Sequence, residues 1–146
     1  MPRRGKRLGF EELSPDKVAN ELLSNLKRGD KVAITSRFTE HVLPYVKALE
    51  ERGLVVRVVE GQTGLQDFCF LMRASRELIG VATSTYVTWA GLLGDAKRVR
   101  LYSVDSPDRR AQDNEYFWYY NYTINHQLKA RFSFELYKAG NSTENK

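Results

Sequence analysis

The sequence predicts an α/β fold, a parallel sheet of about four strands flanked by helices, with an aromatic-rich C-terminal extension. Two observations carry the prediction. Short β-branched apolar runs alternate with longer segments of helical periodicity along the first hundred residues. Most of the helical segments are bounded by capping residues or glycines, so the rhythm is punctuated where helices should begin and end.

Ser14-Pro15-Asp16 is the first such start: a hydroxyl N-cap, proline at the first helical position and an acid in the first turn. Val18, Leu22, Leu23 and Leu26 continue at helical spacing, and Lys27-Arg28-Gly29-Asp30 closes the helix with cations and a glycine. Lys31–Thr35 is an apolar run read as a buried strand. Val42, Val46 and Leu49 mark a second helix ended by Arg52-Gly53, and Leu54–Val59 is a β-branched strand. Gly61 and Gly64 bracket a turn, Leu65–Ser75 reads as a third helix, and Leu78–Ala82 as a third strand. Ser84-Thr85 caps a fourth helix through Leu93, stopped by Gly94 before the strand Arg98–Tyr102. Strands joined by helices in this order make βαβ units with right-handed crossovers.

Beyond Ser103 the character changes. Asp105-Ser106-Pro107-Asp108 is a turn, and Tyr116–Tyr120 is a dense aromatic block. Phe132, Phe134 and Leu136 alternate as a strand does, while Leu128, Phe132 and Leu136 fit a helix equally well, which leaves that element open. The polar tail from Asn141 is expected to fray. The chain thus divides into a basic N-terminal segment (1–13), a Rossmann-like α/β domain (14–104) and the aromatic extension (105–146).

Composition narrows the function classes. The chain has 146 residues, 42% hydrophobic and 28% charged, which is one soluble globular domain rather than a disordered tract. No apolar run approaches the length of about 18 residues that a membrane span needs. The basic start Met1–Arg7 lacks the apolar stretch of a signal peptide. Cys69 cannot form an intrachain disulfide and, inside Phe68-Cys69-Phe70-Leu71, is expected to be a buried, inert thiol. His41 and His126 show no metal-ligand spacing. Asn121-Tyr122-Thr123 and Asn141-Ser142-Thr143 fit the glycosylation acceptor pattern, which has meaning only in a secretory lumen. A net charge of +5 and a pI near 9.4 favour an anionic partner: nucleic acid, a membrane surface or a nucleotide diphosphate.

In a Rossmann-like sheet, ligands bind at the carboxyl ends of strands, where helix N-termini point free N–H groups outward. Two edges qualify. One is Thr35-Ser36-Arg37 after the first strand, which makes Ser36 a candidate substrate-binding residue. The other is Thr83-Ser84-Thr85-Tyr86 after the third, where hydroxyls and backbone donors converge on a phosphate; a plain N-cap is the alternative for Ser84. Neither a GxGxxG fingerprint nor a GxxxxGK[ST] loop occurs.

The stretch Asp67-Phe68-Cys69-Phe70-Leu71-Met72-Arg73-Ala74, then Leu78-Ile79-Gly80 and Ser84-Thr85-Tyr86, resembles the donor-site motif of the GT-B-fold fucosyltransferases, the superfamily of α1,2-, α1,6- and peptide-O-fucosyltransferases. Trp89-Ala90 and Leu92-Leu93 continue it as the following helix does in the α1,2 branch. That family also carries His-x-Arg-Arg-x-Asp ahead of this half. Here Arg3 and Arg4 match the paired arginines, while Met1 stands for the histidine and Lys6 for the acid. The resemblance covers Arg3 to Val104 and implies a fucosyltransferase-like, metal-independent glycosyltransferase domain with GDP-fucose as donor and no other cofactor. It implies further that the acceptor-side domain would precede residue 1, so that this chain alone is incomplete for catalysis.

Under that resemblance Arg3 is the catalytic residue, its guanidinium fork pairing the leaving diphosphate, with Arg4 beside it in the substrate-binding set. Ser84, Thr85 and Tyr86 form the donor-side turn, and Asp67 accepts N–H bonds from the guanine edge, where the alternative is a helix N-terminal acid. The absence of any Asp-x-Asp agrees with a diphosphate held without metal. Two other readings compete: a non-catalytic Rossmann-like interaction domain, and a basic module that stacks single-stranded nucleic acid on Tyr116–Tyr120. Scattered basic residues and a single aromatic block speak against nucleic acid.

Overall fold

The computed structural model describes residues 13–36, 38–82, 84–105 and 131–138. Arg3, Arg4, Arg37, Thr83, the aromatic block and both glycosylation tripeptides lie outside the described residues. Two compact units are formed, one from Ser14–Asp67 and one that holds Leu13 and the chain from Phe68 onward. Every strand pair is parallel and every unit carries helices, so the α/β class is the one observed. The four expected strands are shared between two sheets, one of two strands and one of three, and a fifth strand joins the second.

In the first unit Ser14 caps α1 (Pro15–Lys17), its Oγ accepting from the Lys17 amide at 3.2 Å. The expected α-helix through Leu26 does not continue. Val18–Leu22 is a π-helical turn, with the Leu23 amide donating to the Val18 carbonyl at 2.9 Å. The cause lies in Arg52, whose guanidinium donates to the carbonyls of Ala19, Leu23 (3.1 Å) and Leu26 (2.9 Å). Carbonyls supplied by a side chain need no further helical amides, so the chain can widen and turn. Val18, Leu22 and Leu23 are still buried, which preserves the predicted apolar stripe.

β1 (Lys31–Thr35) and β2 (Val55–Val59) pair from Lys31 opposite Val55 to Thr35 opposite Val59. α2 (Thr39–Glu51) connects them and buries Val42 and Leu49. Gly53, at φ +88°, takes the left-handed conformation that ends α2, with its amide on the Glu50 carbonyl. α3 (Gly64–Met72) spans the boundary between the units.

The second unit orders its strands β3 (Glu77–Val81), β4 (Arg98–Asp105) and β5 (Phe132–Lys138). α4 (Thr85–Leu93) links β3 to β4. One face of this sheet presents Leu78, Ala82, Val99, Leu101 and Phe132, which form the core with Ala90 and Ala96. Gly80 lets α4 approach: a Cβ there would lie 2.5 Å from Val87 Cγ1. The element that fits strand and helix equally well in sequence is a strand, because Phe132 and Phe134 reach the core while Ser133, Glu135 and Tyr137 alternate to the other face.

Cys69 is exposed, contrary to its expected burial. Within α3, Phe68, Leu71 and Met72 fall three and four residues apart and pack on the core, and Cys69 falls between them on the solvent side. An apolar run folded as a helix cannot bury all of its members against one layer.

Candidate functional site

The β3–α4 turn holds three of the predicted residues. The Ser84 amide donates to the Val81 carbonyl at 3.0 Å, which turns the chain as β3 ends. Ser84 is extended (φ −91°, ψ 109°), and its Oγ accepts the Val87 amide at 3.3 Å, while its carbonyl accepts the Thr88 amide at 3.2 Å and the Thr88 hydroxyl at 3.0 Å. The N-cap alternative is thus realised. Capping uses one lone pair of Ser84 Oγ and does not engage its own proton. Thr85 is exposed beside it, and its hydroxyl and amide have no hydrogen-bond partner among the described residues. Tyr86 is 42% exposed and stands edge-on to Phe68, with ring centroids 5.4 Å apart.

Asp67 and Ser36 belong to the first unit. Asp67 lies in the first turn of α3, its Oδ1 accepting from Gln62 Nε2 at 2.7 Å and its amide donating to the Thr63 carbonyl at 3.0 Å. Its second oxygen has no such partner among the described residues. Thr63 and Gln66 form a reciprocal capping box: Thr63 Oγ1 accepts the Gln66 amide at 3.1 Å and Gln66 Oε1 accepts the Thr63 amide at 2.9 Å. The T-x-x-Q pattern was visible in the sequence and fixes where α3 begins. Ser36 closes a local turn, its Oγ accepting the Phe38 amide at 3.1 Å. Next to it, Thr39 Oγ1 donates to Glu60 at 2.6 Å, so the carboxyl edge of the two-stranded sheet carries an acid. A groove of about 260 Å³ between α1 and α2, with Pro15, Pro44, Lys47 and Glu51 among its lining, includes none of the predicted residues.

A polar cluster of the second unit, built around Arg100, is absent from the sequence expectations. Arg100, with its side chain only 8% exposed, pairs both Glu135 oxygens, Nε to Oε2 and Nη2 to Oε1 at 2.9 Å each. Glu135 also accepts from Ser133 Oγ at 3.2 Å and Tyr137 Oη at 2.8 Å, and Glu77 stands 3.4 Å from Arg100 Nη1. Burial pushes the Glu135 carboxyl up, but hydrogen bonds from Arg100 and Tyr137 and the guanidinium charge outweigh it and hold the group below the usual carboxylate range. The Arg100 guanidinium is held protonated still more firmly, chiefly by its hydrogen bonds to Glu135. Burial and then Glu135 raise the Tyr137 phenol. Through these bonds the cluster clamps β4 to β5 and reaches β3. The sequence signal for it is the polar alternation of Ser133, Glu135 and Tyr137 and an arginine, Arg100, set between the apolar Val99 and Leu101.

No family model, curated protein or solved structure matches the chain.

Among the described residues no helix is long and apolar enough to cross a membrane, and no group of histidine, cysteine or carboxylate side chains is arranged to hold a metal. The β3–α4 turn is the predicted edge whose geometry is best defined among the described residues. It offers two hydroxyls and a helix N-terminus, donors suited to an anion.

Proposed function

We propose that this chain is a nucleotide-sugar-binding α/β domain of the fucosyltransferase-like kind, taking the diphosphate of a GDP-sugar at the first turn of α4. The observation that carries this reading is Ser84, a cap whose hydroxyl proton has no acceptor among the described residues, followed by the exposed Thr85 at the carboxyl end of β3. That placement matches where anionic ligands bind in open α/β sheets.

The test is calorimetry with GDP, GDP-fucose and ADP on the full chain and on Ser84→Asp. Aspartate caps a helix as well as serine does, so the fold should be kept. A carboxylate about 5 Å from a phosphate charge repels it by about 3 kcal/mol at an effective dielectric near 20, enough to weaken GDP binding about a hundredfold. No GDP binding by the parent, or equal binding by Ser84→Asp, would overturn the proposal.

An interaction domain is the second reading, favoured by one observation. Tyr86, Trp89 and Leu93 are 42%, 55% and 59% exposed, and their spacing puts them along one side of α4.

A further inference from the structure

We draw no further inference here: the strongest candidate, the exposed apolar stripe of Tyr86, Trp89 and Leu93 along α4, is a helix face for which nothing in the structure shows what covers it.

Discussion

Replacing Glu135 with leucine removes both oxygens that pair Arg100 and leaves the guanidinium facing Glu77 at 3.4 Å. Breaking one side of a buried pair costs about 3–5 kcal/mol, because the remaining charge loses its main partner without regaining its water. Arg100 is 8% exposed and Glu135 22%, so some water reaches the carboxylate, and the lower end, about 3 kcal/mol, is expected. Arg100→Leu combined with Glu135→Leu removes the stranded charge, and the double variant should return to within about 1 kcal/mol of the parent. Urea unfolding of the parent, both single variants and the double variant supplies the cycle. Acid gives an independent check. A carboxyl held below its unfolded value stabilises the fold at pH above that unfolded value, near 4.3, and the contribution disappears as pH falls through the folded value. The gap between parent and Glu135→Leu should therefore be full at neutral pH and close in strong acid. A single-variant loss below about 1 kcal/mol, with no pH dependence in the gap, would refute the clamp.

Ser103→Ala should raise the melting temperature, because Ser103 Oγ is buried with no hydrogen-bond partner among the described residues and its desolvation costs about 1 kcal/mol. Thr63→Ala should cost about 1 kcal/mol in thermal unfolding by opening the capping box of α3, while Thr63→Ser should cost little.

Local signals were legible and cross-chain ones were not. Ser14, Pro15 and Ser84 announced helix starts because an N-cap acts within three residues, and the β-branched runs at Lys31–Thr35 and Val55–Val59 announced strands. β5 stayed ambiguous because Phe132 and Leu136 fit both periods; the choice depends on Arg100, 35 residues away from Glu135 in sequence. The burial of Cys69 was misjudged because an apolar run does not say which side of a helix meets the core. For the candidate site, the Ser84–Tyr86 turn was placed from sequence at the end of β3, and there it stands. Arg52 could not have been read as a partner of the first helix, since its role requires the tertiary fold.

That arginine ties the earliest residues of the first unit to a later event. The eight residues from Pro15 to Leu22 form too short a helical segment to persist alone in water, where isolated helices need about 12–15 residues even with favourable sequences. The Ala19 carbonyl in this segment, and those of Leu23 and Leu26 just after it, gain their guanidinium donor only when Arg52, at the end of α2, is in place. Ordering of residues 15–26 is therefore conditional on α2, and the two should open together in native-state hydrogen exchange rather than fraying one after the other. A lysine at position 52 presents one ammonium instead of a fork and cannot serve three carbonyls at once. In Arg52→Lys the amides of Leu23 and Leu26 should exchange ahead of those in α2, and the shared opening would split into two.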